Sequence, residues 1–381
     1  MNLYLNSPPP FCQPEVLLDI PKCKANIEKM VNISRQEGII FRPHFKTHQS
    51  KGIGRFFRQA GVSAITVSSV SMAKYFAEDG WNDITIAFPV NLREWEQIKS
   101  LASIVHLSLL ISDETSLQKI SRLDFLSFHL NFFIELDTGQ GRSGFEYSAE
   151  KILPLIRLAD ELQIPIEGFL FHDGHTYKAH NTDEIRKIRA ATLAMTAHLR
   201  HDLEVFYPGR KFLYSMGDTP SCSIDNRYEG IDEMRPGNFV FYDLMQYDLG
   251  TCTQDEIAIR LVCPIVAVYS EQERAVIYGG AIHLGKDFLT LPHNEICFGA
   301  ICAHGDSIEW QGRYPMAWLS SLSQEHGVVK APKDFLKKIQ PGDLLDVVPV
   351  HSCLMVSAAL RIIGSDGTIF DTFNANFMKD T

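Results

Sequence analysis

The chain has 381 residues, 45% of them hydrophobic, and a formal net charge of −10 from 36 Lys and Arg against 46 Asp and Glu. The hydrophobic share excludes a disordered chain, and the acidic balance argues against a nucleic-acid or anionic-membrane surface. The length exceeds what one core usually fills, so a large barrel with an added domain, or two domains, is expected.

No apolar run approaches the ~20 residues that span a bilayer, and residues 1–11 show no basic stretch leading into an apolar one, so the expected location is cytoplasmic. Helical periodicity over 21–36 is followed by a strand pattern over 38–41. Just beyond it stands Arg42-Pro43-His44-Phe45-Lys46-Thr47-His48. A lysine past a buried strand, flanked by Arg and two His, sits in a cationic and partly desolvated setting. Both effects lower an amine's pKa and make it a nucleophile or base. Taken alone, the same segment also reads as a solvated loop.

Strand patterns at 64–67, 84–87 and 106–110 alternate with helical ones at 71–79, 92–101 and 115–123, and Asp113 is the expected N-cap of the last. A fifth strand over 131–135 leads into Asp137-Thr138-Gly139-Gln140-Gly141-Arg142-Ser143-Gly144. Its glycines let backbone approach a ligand, and Arg142 suits a phosphate, carboxylate or phenolate oxygen. A helix over 149–162 and a strand over 168–171 follow, then His172-Asp173-Gly174-His175-Thr176-Tyr177, a set that suits metal ligation, acid–base work or ring stacking. A helix over 182–202, with Thr182 as its N-cap, precedes a strand over 212–215 and Gly217-Asp218-Thr219-Pro220-Ser221. A last short run near 234–240 carries Arg235-Pro236-Gly237-Asn238. Late loops of this kind commonly hold phosphate on backbone N–H groups. Eight short apolar strands alternating with helices predict a (β/α)8 barrel of the α/β class.

After residue 249 the pattern changes. Strands are predicted at 256–269, 275–282, 328–329, 343–350 and 360–363, with turns at Gly342 and Asp366-Gly367 and no long helix. The expected division is a barrel over 15–249 and a mostly-β domain over 250–381, with residues 1–20 joining the latter because 15–20 is strand-like. None of the eight cysteines has CxxC spacing, so most are expected to be small buried hydrophobes. Cys353 differs, because it follows His351 by two residues in Pro349-Val350-His351-Ser352-Cys353. If that segment is extended, the imidazole and thiolate share a side and converge on one metal. The alternative is a half-buried strand.

The order of these motifs resembles the pyridoxal-phosphate fold-type III family of alanine racemase, closest to its D-serine dehydratase and D-threonine aldolase branch. The resemblance rests on the RPHxKTH segment around Lys46, DTGxGRxG, RPGN and the distant HxC of His351 and Cys353, and spans about residues 15 to 375. It implies pyridoxal 5'-phosphate joined to Lys46 as a Schiff base, Arg142 on the phenolic oxygen, Tyr177 near the pyridine ring and His172 by the cofactor on the barrel floor. Thr219, Gly237 and Asn238 would hold the phosphate, with Gly217 and Asp218 beside them. His351 and Cys353 would bind Zn2+. The chain departs from the branch at Asp173 and His175, where Cys and Asn are expected, and at Asp218, where Ser is usual. The implied enzyme is a homodimeric lyase that takes a D-3-hydroxy amino acid, such as D-serine or a 3-hydroxyaspartate, to a 2-oxo acid and ammonia. Retro-aldol cleavage and a non-catalytic cofactor carrier are the alternatives.

Overall fold

The computed structural model describes residues 11–377; residues 1–10 of the segment expected to join the β-domain lie outside them. Contacts divide the chain into two compact units. One comprises Glu28–Lys46 and Phe57–Gly237. The other comprises the described parts of Met1–Ile27, Thr47–Phe56 and Asn238–Thr381.

The first unit is a parallel barrel. Its strands run side by side in the order Ile40–Phe41, Glu233–Met234, Leu213–Met216, Ile166–Phe171, Leu130–Asp137, His106–Ile111, Asp83–Pro89 and Ile65–Val67. A parallel bridge between His44 and Thr66 nearly closes the ring, with Phe45 N–H donating to the Thr66 carbonyl at 2.8 Å and Thr66 N–H to the Pro43 carbonyl at 3.0 Å. Central strands are apolar on both faces because helices cover the outside and side chains fill the inside. Phe132, Phe133 and Ile134 in succession are all buried, and Leu110, Phe133 and Leu170 pack together across neighbouring strands.

Local chemistry sets the helix starts. Asp113 accepts the N–H of Ser116, as its position predicts. The long helix Thr182–Phe206 is capped by Asn181, one residue before the expected Thr182, because the Asn181 side chain takes the Glu184 N–H. Helix Lys51–Gln59 was not legible, since two glycines and scattered charges blur its period. No helix of the described residues is long and apolar enough to cross a membrane.

The second unit is built on a nine-stranded sheet. Strand Glu15–Leu18 lies inside it, antiparallel to Ile259–Tyr269 and parallel to Arg361–Gly364. Ile259–Tyr269 also pairs with Leu344–Pro349 and with Arg274–Tyr278, so part of the sheet curls onto itself. Strands Gly299–Ala303 and Trp318–Leu322 escaped the sequence reading because glycine and serine interrupt their apolar runs.

The barrel strands Ile40–Phe41 and Glu233–Met234 are only two residues long. A polar relay reinforces them. The Arg42 Nε donates to Glu233 at 2.5 Å, the Ser215 hydroxyl donates to Glu233 at 2.6 Å, and Arg235 Nε donates to Ser215 Oγ at 2.6 Å. Glu233 is fully buried. Replacing Glu233 with Ala leaves Arg42 and Ser215 half-paired in the interior, and the expected cost is about 3 kcal/mol of unfolding free energy by urea titration.

Candidate functional site

In the barrel unit the candidate residues leave the C-terminal ends of the strands. Arg42 does not supply the cationic setting expected for Lys46. Its side chain turns to Glu233 and Asp83. Burial works against its charge, but the two carboxylates outweigh it and hold its pKa above the ordinary value. His44 accepts the backbone N–H of Lys46 on Nδ1 at 3.4 Å. Burial first, then the charges of Lys46, Arg235, His172 and Arg142, hold its imidazole neutral. His172 donates Nδ1–H to the Gly217 carbonyl, and burial drives its pKa down to about 3. A ring nitrogen bonded to a carbonyl must be the protonated one, so His172 keeps a lone pair on Nε2. Two neutral imidazoles thus stand in the field of Lys46, Arg142 and Arg235. The arginines come from other loops of the barrel, a source that sequence order does not reveal.

Two acids at the end of strand Leu130–Asp137 shape the glycine-rich loop. Asp137 accepts the N–H groups of Gly139 and Gly141 at 2.9 and 3.1 Å. Buried Glu135 accepts the Ser112 and Ser143 hydroxyls at 2.5 and 2.8 Å and lies 4.0 Å from Arg142. Gly144 has a φ of 102°, and a Cβ there would meet strand backbone at 3.0 Å, so only glycine fits the return. The Arg142 side chain is left 52% exposed, presented outward. Glu135 was missed by the sequence reading; its signal is an acid inside an apolar strand.

The later loops converge. Thr219 Oγ1 accepts the Gly237 N–H at 3.3 Å, and the Thr219 N–H donates to the Tyr177 hydroxyl oxygen at 3.4 Å. The rings of His172 and Tyr177 are 6.4 Å apart. Gly217 passes close to its neighbour strand, where a Cβ would lie 2.7 Å from the Arg235 backbone. The Ser221 hydroxyl is buried with no hydrogen-bond partner. Asp218 points into the fold as the N-cap of Thr219–Ile224, accepting the Ser221 N–H at 2.7 Å. His175 has its Nδ1 buried without a partner.

The second unit holds His351, Cys353 and Asn238. The segment from His351 is not extended throughout. His351 has φ −132° and ψ 105°, and helix Ser352–Ala358 begins directly after it. The two side chains therefore meet at a strand-to-helix corner, where the chain turns, and not through strand alternation. The His351 Nδ1–H donates to Asp287 at 2.6 Å, which leaves Nε2 as the ligating nitrogen when the ring is neutral. Burial opposes its protonation, but Cys353, Asp243 and Asp287 raise its pKa to about 10. The Cys353 sulfur lies 3.3 Å from the Thr47 hydroxyl and accepts from Asn238 Nδ2 at 3.6 Å. Buried Asp243 ties this cluster together, accepting from Asn238 at 2.6 Å and from the N–H and hydroxyl of Ser352 at 2.9 and 3.1 Å. Asp243 and Asp287 are far from the HxC motif in sequence, so spacing could not find them. Among the described residues, no group of three or more His, Cys, Asp or Glu is placed to hold a metal. Six of the other cysteines are buried as expected, while Cys12 is exposed.

The comparisons with known proteins agree with this architecture. A family model described as "Alanine racemase, N-terminal domain" matches residues 18–244, and one described as "Putative serine dehydratase domain" matches residues 258–363. A D-serine dehydratase of Dictyostelium discoideum is 25% identical over 386 residues, covering 92% of this chain and 93% of that protein. A D-threo-3-hydroxyaspartate dehydratase of Delftia sp. (strain HT23) is 25% identical over 375 residues, covering 93% and 95%. The solved structure of a D-threo-3-hydroxyaspartate dehydratase from Delftia sp. HT23 superposes with a TM-score of 0.85 at 23% identity, covering 97% of this chain and 98% of that one. The first model spans more than half of the residues, and the chain belongs to the alanine racemase N-terminal-domain family.

Proposed function

We propose that the chain is a dehydratase, an ammonia-lyase dependent on pyridoxal 5'-phosphate and zinc, that takes a D-3-hydroxy amino acid to a 2-oxo acid and ammonia. D-Serine and a 3-hydroxyaspartate are the candidate substrates, matching the names of the two relatives. The observation that carries the reading is one chain holding two clusters. Lys46, Arg142 and Arg235 together set the field on two neutral imidazoles, His44 and His172, and His351 is already oriented by Asp287 beside Cys353. The enzyme would act in the cytoplasm as a homodimer.

The barrel cluster fits an anionic, ring-bearing cofactor. Its cations offset the phosphate charge that a chain of net −10 would otherwise repel. The unpartnered Ser221 hydroxyl is a donor for an anion, and the N–H groups of Thr219 and Gly237, now held on the Tyr177 and Thr219 oxygens, lie beside it. In this reading Lys46 carries the cofactor, Arg142 takes its phenolic oxygen, Tyr177 and His172 flank its ring, and Thr219, Gly217 and Gly237 hold its phosphate. Asn238 shares its two side-chain N–H groups among Asp243, Ser352 and Cys353, so it would contribute backbone only. When bound, pyridoxal 5'-phosphate supplies an electron sink that acidifies the substrate's α-hydrogen. Lys46 Nζ would be the base that removes that proton.

The second cluster fits a metal with two protein ligands, the rest of the shell coming from substrate and solvent. A thiolate beside an imidazole suits zinc better than magnesium or manganese. Zinc there supplies Lewis acidity toward the substrate hydroxyl. Asp287 fixes the His351 ring, and Asp243, through Ser352, fixes the corner that aims Cys353.

The test is turnover of D-serine, D-threonine and the 3-hydroxyaspartate isomers by the full chain. A 2-oxo acid with ammonia is expected. Glycine with an aldehyde would make the protein an aldolase, and release of cofactor without turnover would make it a carrier. The Lys46→Ala variant is expected to lose the near-visible absorption band that borohydride bleaches, and roughly 10³-fold in rate. A band that persists removes Lys46 from its role. For the metal, Asp287→Asn is expected to weaken zinc binding about 10- to 100-fold in a competing-chelator titration; unchanged affinity would take Asp287 out of the site.

A further inference from the structure

Two carboxylic acids lie buried behind the Thr219 loop, at two positions where the chain departs from the motif it resembles. Asp173 is 1% exposed and Asp218 is 2% exposed. Each commits one oxygen to donors. Asp173 Oδ1 accepts the Thr138 and Thr192 hydroxyls at 2.6 and 3.0 Å. Asp218 Oδ1 accepts the Ser221 N–H at 2.7 Å and the Thr176 hydroxyl at 3.0 Å. The other oxygen, Oδ2, is buried without a hydrogen-bond partner in both residues. An ionised oxygen in that setting is costly, and a protonated one much less so.

Burial outweighs the positive groups that face the pair, Arg189 toward both acids and Arg235 toward Asp173. From helix Thr182–Phe206 comes Arg189, whose Nε and Nη2 donate to the Arg227 carbonyl, whose Nε lies 3.9 Å from Asp225 and whose Nη1 is buried without a hydrogen-bond partner. From the last strand's loop comes Arg235, bonded to Ser215 and to the Phe171 carbonyl. Cys222 and Tyr228 lie in the same buried layer and add no positive charge. Burial, and next the charge of Asp173, push the Asp218 carboxyl up to about 6, and burial raises Asp173 as well. Thr176 Oγ1 lies between the two residues, 2.7 Å from the Asp173 backbone carbonyl and 3.0 Å from Asp218 Oδ1, with one hydrogen shared between these acceptors.

We propose that Asp173 and Asp218 form a proton-holding acid pair that takes up a proton when the cofactor's phosphate binds at Thr219. The inference rests on the phosphate placement proposed above. Asp218 immediately precedes Thr219, so an arriving phosphate adds negative charge beside a pair that cannot leave its site. A proton from solvent converts one carboxylate to a carboxyl, and no other bond changes. The pair is thus a positioning device: it keeps the N-cap of Thr219–Ile224 in place while removing the repulsion.

Calorimetry of the full-length, cofactor-depleted chain tests this, using pyridoxal 5'-phosphate as the probe, pyridoxal as the control, and buffers of different ionisation enthalpy near pH 8. The parent is expected to take up as much as about one more proton than Asp218→Asn on binding the phosphorylated probe, and the same number on binding pyridoxal. Above pH 7, its affinity for the phosphorylated probe should fall with pH by up to about tenfold per unit more steeply than the variant's. Asp173→Asn should also lose the extra uptake, and it decides the matter if Asp218→Asn does not fold. Equal proton uptake by the parent and a folded variant overturns the pair. Failure of the parent to bind the phosphorylated probe, with no near-visible band, overturns the cofactor reading instead.

Discussion

One buried carboxylate, Glu233, holds the barrel unit at its weakest seam. The two strands it joins are each two residues long and have few ladder hydrogen bonds of their own. Glu233 replaces the missing pairings with charge-assisted bonds, taking Arg42 on one oxygen and Ser215 on the other. Ser215 in turn accepts from Arg235, so one relay spans the first, seventh and eighth strands. The loops carrying Lys46 and Gly237 leave from these strands. Their positions are therefore set by a polar network and not by apolar packing alone.

Acids organise the candidate residues throughout. Asp137 and Glu135 shape the loop of Arg142, Asp218 caps the turn after Gly217, Asp243 ties Asn238 to Ser352, and Asp287 orients His351. Each works by accepting hydrogen bonds, and those of Glu135, Asp218 and Asp243 are buried, where such bonds make the geometry stiff. This reconciles an acidic chain with a site for an anionic cofactor. The negative charges are consumed inside the fold as structural acceptors, while Arg142 and Arg235 set the field on His44 and His172.

The periodicity was legible where apolar residues recurred without interruption. The barrel strands from Ile65–Val67 to Leu213–Met216 appeared as short apolar runs, and helices such as Ala149–Glu161 as periodic ones. Helix Lys51–Gln59 and strands Gly299–Ala303 and Trp318–Leu322 did not, because glycine, serine and scattered charges hide the pattern that tertiary packing later overrides. Motif spacing identified Lys46, Arg142, Tyr177, Thr219, His351 and Cys353 as candidates. It misjudged how three of them are placed: Lys46, His351 and Cys353. Arg42, adjacent in sequence to the lysine segment, is drawn into the barrel by Glu233 and Asp83. His351 and Cys353 approach each other because a helix starts between them.

By itself, the sequence determined the alternation of strand and helix, the β-rich character of its C-terminal part, and the residue types available for chemistry. These depend on local period, turn residues and motif spacing, which are properties of neighbouring positions. Only the tertiary structure decided which charges surround Lys46's neighbours, which acid holds His351, and that Asp173 and Asp218 are buried together. Those facts depend on side chains far apart in the chain and on the loss of solvent around them, and neither separation in space nor burial is encoded in spacing.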